Sequence, residues 1–263
     1  MFGAISSAAP EAVLNRAWNG EGAWSDLYVD LCSAFFPGPQ RCPMQVSCVA
    51  LPIDVLPVPL PNVLLAVLPD DVRRSVPIRQ RSFVAGRLCA RHALAQAGHA
   101  AAATIGRHQS GEPVWPRGWC GAIAHTAEVA YAAVAPRERW RGIGIDAELV
   151  VDDTLVWPIR HMCMREPEWR LLDGCGSDEF RATLMFSAKE SIYKAAAPLV
   201  GHFFDFMEAE LIASDWADRR LDFRARPGGD LARVVQTCST YFGLEGAVVH
   251  SVTTLPGLPE AAS

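Results

Sequence analysis

Three acidic and two basic side chains carry most of the chemistry this 263-residue sequence offers, and they fall in two short segments. The first is Gly144-Ile145-Asp146-Ala147-Glu148. From Gly142 to Leu149, β-branched residues alternate with small or acidic ones at the period of a strand, so Asp146 and Glu148 point to the same side. The second is Phe186-Ser187-Ala188-Lys189-Glu190-Ser191-Ile192-Tyr193-Lys194, in which Glu190 and Lys194 stand at i and i+4. Carboxylates brought to one point repel each other unless a hard cation neutralises them, and magnesium carrying waters and substrate phosphates suits such a set. Lys189 and Lys194 would add two ammonium groups, able to hold a pyrophosphate and steady a departing phosphate. Each segment alone also has a plain reading. Asp-x-Glu is equally a solvated strand end, and an i, i+4 Glu/Lys pair is often a surface contact of roughly 0.3 kcal/mol.

A basic group lies upstream. Arg79, Arg81, Arg87 and Arg91 are spread through one segment, Arg73 and Arg74 precede it, and His125 follows a glycine-rich turn. Guanidinium groups grip phosphate by bidentate hydrogen bonds, so a set of them can clamp a phosphate monoester. Solvated arginines and a satisfied core histidine are the plain alternatives.

The elements that would position these residues can be read from pattern. Residues Phe2–Gln40 form an irregular, partly helical lead-in punctuated by Pro37-Gly38-Pro39, and Met44–Leu68 reads as edge strands and loops. Pro77–Gln96 has helical spacing with a stop at Gly98, which puts Arg87 and Arg91 on one face. Gly111–Gly118 is a turn-rich loop, and Gly121–Val134 suits a strand entering a buried sheet. Beyond a connector at Asp173–Asp178, Phe180–Leu199 is a helix ending before Gly201. Alternating runs at Ala209–Ile212, Leu221–Arg226 and Gly246–Thr253 read as strands of a second sheet, and Pro256–Ser263 as a frayed tail. The fold class is α+β, with a long helix in each half; internal repetition is too weak to demonstrate a duplication.

Composition bounds the rest. Half the residues are hydrophobic and 20% are charged, enough to bury one large core or two small ones. A net charge of −5 gives no ground for binding nucleic acid or an anionic membrane, so any phosphate site must be local. Met1–Gly20 lacks the basic and apolar regions of a signal peptide and no later run is long enough to span a bilayer, so the expected address is cytoplasmic with no membrane required. The eight cysteines show neither CxxC nor zinc spacing and read as reduced thiols. GxSxG, Walker-type and HExxH motifs are absent, and Gly142-Ile143-Gly144 lacks the third glycine of a dinucleotide site.

Taken in order, Gly86-Arg87-Leu88-Cys89-Ala90-Arg91, then Gly111-Glu112-Pro113-Val114-Trp115-Pro116 with His125-Thr126, then the acidic strand and the Lys-Glu helix, resemble the 4'-phosphopantetheinyl transferase superfamily. The likeness covers about Pro77–Glu210 and is strongest to the bacterial branch that includes enterobactin synthase component D. The resemblance implies two similar α+β halves in a pseudo-twofold arrangement, residues 1–141 and 142–263, acting as a monomer with coenzyme A in the cleft between them. It implies transfer of the 4'-phosphopantetheine group of coenzyme A to a serine of an apo acyl, aryl or peptidyl carrier protein, with release of adenosine 3',5'-bisphosphate. Siderophore, nonribosomal peptide, polyketide and fatty-acid synthesis all remain open as the pathway. By the same resemblance Asp146, Glu148 and Glu190 hold Mg²⁺, with Mn²⁺ also admissible, and Glu190 (as metal ligand or general base), Lys194 and Asp146 are catalytic. Coenzyme A would meet Arg79, Arg87, Gly111, Glu112, Pro113, Ala124, His125, Lys189 and Lys194. Two positions depart from the family pattern: Ala124 stands where a serine is frequent and Ser110 where a lysine is, so two side-chain contacts to the 3'-phosphate are in doubt, and backbone N–H groups could serve there. The acceptor would be a small acidic helical domain, for which Gly201–Asp205 is either part of the receiving rim or core. A magnesium-dependent hydrolase of coenzyme A or a nucleotide, and a non-catalytic module binding coenzyme A or a carrier, are the competing readings.

Overall fold

The computed structural model describes residues 29–30, 46–99, 105–109 and 111–257. The lead-in expected over Phe2–Gln40, apart from Val29–Asp30, and most of the expected tail lie outside the described residues. The chain opens with β1 (Val29–Asp30) and β2 (Ser47–Pro52), then the short helices α1 (Asn62–Ala66) and α2 (Asp70–Arg73) and the long α3 (Pro77–Gln96). A ribbon of β3 (Gly106–Arg107) and β4 (Pro113–Val114) precedes β5 (Trp119–His125), β6 (Val129–Pro136) and β7 (Trp140–Leu149). Helices α4 (Asp153–Cys163), α5 (Glu166–Arg170) and α6 (Asp178–Val200) follow, then β8 (Ala209–Asp215), β9 (Arg220–Ala225), β10 (Thr237–Glu245) and β11 (Val248–Pro256).

Two antiparallel sheets organise these elements, one in the order β1-β2-β6-β5 and one in the order β7-β11-β10-β9-β8. Each carries one long helix. Helix α3 starts with proline in its first turn, where the missing N–H is no loss, and gives way to Gly98 at φ +90°. It buries Val84, Ala85, Leu88, Cys89 and Ala93 with Val49, Leu51, Ala130, Ala132 and Val134 of the first sheet. Helix α6 starts at Ser177, whose Oγ accepts from the Phe180 N–H at 3.3 Å, and stops at Gly201 in the left-handed region, φ +85°. A third apolar cluster joins Cys120, Ala122 and Ala124 of β5 to Ile143, Ile145 and Ala147 of β7, tying the two sheets together.

Two expectations need correction, and three elements were not anticipated. Gly121–Val134 is two strands, because Thr126-Ala127-Glu128 turns the chain without glycine or proline; Thr126 Oγ1 accepts from the N–H groups of Glu128 at 3.2 Å and Val129 at 3.1 Å. The strand in Met44–Leu68 is not at an edge, since β2 lies between β1 and β6, and helix α1 occupies part of the same stretch. Helices α4 and α5 fill the segment before the connector, and β10 lies between runs of which only the flanking ones alternate clearly. The thiol reading agrees with the described cysteines: Cys48, Cys89, Cys120, Cys163, Cys175 and Cys238 are all free and four of them are buried.

Candidate active site

The face of β7 that meets α6 reads Gly142, Gly144, Asp146, Glu148. Glycine is required at the first two positions by contact. A Cβ on Gly144 would lie 1.8 Å from the Ser191 carbonyl oxygen, and one on Gly142 would lie 2.2 Å from that of Ala195. The helix backbone therefore rests directly on the strand, and the same face continues into the two carboxylates. Buried hydroxyls fix the register from the helix side: Ser187 Oγ meets Ser251 Oγ at 2.7 Å, and Ser191 Oγ meets Thr253 Oγ1 at 2.8 Å.

This packing brings Lys194 Nζ to 2.6 Å from Asp146 Oδ1 and 4.0 Å from Glu190 Oε2. Asp146 is buried, and its Oδ2 has no hydrogen-bond partner among the described residues. Burial, then repulsion from Asp146 and Glu190 against the pull of Lys194, pushes the Glu148 carboxyl up to about 7. Burial also raises Glu190, with Lys194 opposing and Asp146 adding to the shift. The three acids thus feel one another's charge. Among the described residues no three His, Cys, Asp or Glu side chains converge as a finished metal centre.

The basic group assembles in part. Arg79 Nη1 and His125 Nε2 are 3.3 Å apart. His125 is exposed, yet desolvation by the nearby protein, then Arg79 and Lys194, lower its pKa. His125 thereby contacts Arg79 and feels the charges of Lys194 and Asp146. Arg87 is only 7% exposed: its Nε donates to the Ile105 carbonyl at 3.2 Å, its Nη2 to that of Gly106 at 3.4 Å, and its guanidinium lies over Phe83. Burial, then Arg107 and Arg79, bring its pKa down to about 10. Arg87 therefore fixes the strand entering the Gly111 loop. In that loop Gly111 adopts φ +101° and donates to the His108 carbonyl, while the His108 N–H donates to Glu112. Pro113 pairs with Arg107 across the ribbon. The Ala124 side chain belongs to the core between the sheets, so only its backbone is available to a ligand.

Lys189 stands apart from this group. Its side chain is fully buried, and Nζ donates to Glu168 Oε1 at 2.9 Å. Glu168 and Arg107 were not singled out from sequence. The signal for Glu168 was its place beside Pro167 in the first turn of α5, where its side chain accepts from the Arg165 N–H. Arg107 pairs with Asp71 at 2.6 Å and gives no pattern of its own. In the segment after α6, Phe204 is core and packs on Tyr193, whereas Phe203 is 73% exposed.

Fold and site together define an α+β protein of two helix-backed antiparallel sheets, with a carboxylate and lysine cluster beside an arginine and histidine pair. Residues 68–135 match the model of the 4'-phosphopantetheinyl transferase N-terminal domain, and residues 142–242 match that of the 4'-phosphopantetheinyl transferase superfamily. Over 167 residues, 60% of this chain and 74% of the relative, the chain is 36% identical to 4'-phosphopantetheinyl transferase Npt of Nocardia iowensis. It is 34% identical over 152 residues, 56% of this chain and 65% of the relative, to 4'-phosphopantetheinyl transferase PptT of Mycobacterium tuberculosis. Against enterobactin synthase component D of Salmonella typhi the identity is 33% over 127 residues, 48% of this chain and 52% of the relative. The chain belongs to the 4'-phosphopantetheinyl transferase superfamily.

Proposed function

We propose that this chain transfers the 4'-phosphopantetheine group of coenzyme A to a serine of an apo carrier protein, releasing adenosine 3',5'-bisphosphate. The observation that carries the reading is the Asp146, Glu148, Glu190 and Lys194 cluster, electrostatically coupled to the Arg79/His125 pair. The residues suit a hard divalent cation, since Asp146 Oδ2 is buried without a partner among the described residues and Glu148 is driven towards its neutral form by burial and then by the charge of Asp146 and Glu190. A Mg²⁺ or Mn²⁺ ion held by Asp146, Glu148 and Glu190 would neutralise charge on the pyrophosphate.

The protein groups divide the remaining work. Glu190 takes the proton from the serine hydroxyl as its oxygen bonds to the β-phosphorus, and the bond from that phosphorus to the bridging oxygen breaks. Lys194 supports the negative charge on the departing adenosine bisphosphate. Arg79 and His125 hold the 3'-phosphate, beside the Gly111 turn and Ala124. Arg87 and the Glu112-Pro113 turn shape the adenosine end. The two halves, 1–141 and 142–263, are read as a pseudo-twofold pair with coenzyme A between them, acting as a monomer; the support is that each sheet carries one long helix. No described helix is long and apolar enough to cross a membrane.

The test is the intact mass of apo acyl and peptidyl carrier proteins after incubation with this protein, coenzyme A and Mg²⁺, with and without EDTA. A gain of one phosphopantetheine that EDTA abolishes is expected. No gain on any carrier, with coenzyme A hydrolysed or only bound, would overturn the transferase reading in favour of a hydrolase or a binding module.

A further inference from the structure

We propose that Glu168 and Lys189 are a positioning pair: they set the rotation of α6 about its own axis, and with it the aim of Glu190 and Lys194. The turnover arm of the test below rests on the transferase reading; the binding arms do not.

The geometry comes from opposite sides of one helix. At about 100° per residue, Ser187 and Ser191 lie within roughly 40° of each other, and Lys189 lies about 160° from both. The serines bond Ser251 and Thr253 of β11, and Thr253 in turn meets Thr240 of β10 at 2.7 Å, so one face of α6 is fastened to the sheet. Lys189 fastens the other face to Glu168 of α5. Glu190 lies between the two anchors, about 100° from Lys189.

Glu168 is more than a counterion. It is 2% exposed, and Oε1 accepts both from Lys189 Nζ and from the Leu211 N–H of β8 at 3.0 Å, while Oε2 accepts from the Arg165 N–H at 2.9 Å. One carboxylate thus joins the start of α5, the edge strand β8 and the helix that carries the reacting side chains. An ammonium enclosed this completely costs desolvation that an apolar side chain would not, and burial does lower the Lys189 pKa against the pull of Glu168. What the pair supplies in return is direction: two charges with fixed hydrogen-bond geometry define an angle, whereas a methylene stack tolerates rotation. A rotation of α6 by about 20° would carry a side-chain terminus on its surface by roughly 2 Å. Displacements of that order at reacting groups cost about a hundredfold in rate. Lys189 is enclosed on Glu168, whereas Lys194, on Asp146, keeps 27% of its side chain exposed.

The decisive variant is the double change Glu168→Gln with Lys189→Met, which removes both charges and nearly conserves volume. Three quantities are compared with wild type: the coenzyme A dissociation constant by calorimetry without carrier, the Mn²⁺ dissociation constant by electron paramagnetic resonance, and kcat on an apo carrier. The expected result is a coenzyme A affinity within about threefold of wild type, with Mn²⁺ affinity lowered at least about fivefold and kcat at least about tenfold. If the double variant does not fold, Lys189→Arg keeps the charge and adds bulk, and the same split is required of it. A coenzyme A affinity lowered tenfold or more with Mn²⁺ affinity unchanged would make Lys189 a phosphate ligand and overturn the proposal. Unchanged Mn²⁺ affinity and kcat would reduce the pair to packing and overturn it equally. A wild-type protein without transferase activity would count against the function, and the Mn²⁺ and coenzyme A affinities would still decide the role of the pair.

Discussion

Asp146 and Glu148 share a strand face yet sit in different electrostatic positions, because Lys194 bonds Asp146 while Glu148 is partly buried and faces the negative charge of both other acids. The consequence is a pH dependence with a definite sign. The Glu148 carboxyl ordinarily titrates near 4.5 and in the folded protein is pushed up to about 7, so over that window the folded state holds a proton the unfolded chain has released. Stability from this group is fully present below the lower value and is lost as pH rises through about 7. In EDTA, the melting temperature should therefore fall between pH 5 and 8, and Glu148→Gln should flatten the slope; a slope unchanged by the substitution would refute the assignment. Glu190→Gln keeps the size of the side chain and removes its basicity, and should lower kcat at least about a hundredfold with coenzyme A affinity retained, checked by carrier mass and calorimetry. Much of the carboxylate and Lys194 cluster was legible from sequence, since period two and i, i+4 spacing define faces. Lys189 was not, because spacing says that a side chain points away from its neighbour and is silent on what covers it. Only the packing of α5 against α6, through the acid beside Pro167, turns Lys189 inward.

At the scale of the element, the contact of α6 with β7 leaves no room for any side chain at Gly144. Gly144→Ala places a methyl carbon 1.8 Å from the Ser191 carbonyl oxygen, and neither backbone can yield without moving the carboxylates. The expected cost is about 3 kcal/mol, seen as a fall of roughly 6–12 °C in melting temperature for a chain of this size. A full-stability Gly144→Ala protein would mean that α6 does not lie on the strand as described. Ser177→Ala removes only the N-terminal cap of the same helix and should cost about 1 kcal/mol with activity unchanged. Both long helices were legible because proline or a cap at one end and glycine at the other bracket an apolar pattern. The β5–β6 hairpin was not, since its turn is made by a threonine hydroxyl accepting two backbone N–H groups, a device with no signature in residue type. Strand β10 escaped for a related reason: Thr240 is buried through a hydroxyl bond to Thr253, so a polar residue occupies an inward position and breaks the alternation.

For the whole molecule, the question is whether the boundary near Arg141 separates two folding units. The four-stranded sheet is built before it and the five-stranded sheet after it, yet the third apolar cluster spans it, with Ile143, Ile145 and Val252 packed against alanines and cysteines of β2, β5 and β6. All three of those aliphatic side chains are at most 1% exposed, and a fragment beginning at Gly142 would open them to water. At about 1.5–3 kcal/mol per such side chain the loss is on the order of 5–9 kcal/mol, comparable to the whole stability of a typical domain, about 5–15 kcal/mol. Arg141 strengthens the argument, because its guanidinium donates to the carbonyls of Pro256 at 3.1 Å and Val234 at 2.9 Å, tying the junction to the end of β11 and to the segment before β10. The chain should therefore unfold in urea in one transition, coincident by fluorescence and circular dichroism. Residues 142–263 expressed alone should aggregate or bind a hydrophobic dye, and co-expression with residues 1–141 should restore a soluble complex. Two resolved transitions, or a 142–263 fragment with native-like cooperativity, would show that the halves fold independently and that the cluster between them is an interface added afterwards. If the single transition is found, the two sets of site residues owe their distance to a shared core, and substitutions in Ile143 or Ile145 should weaken coenzyme A binding without touching the ligand.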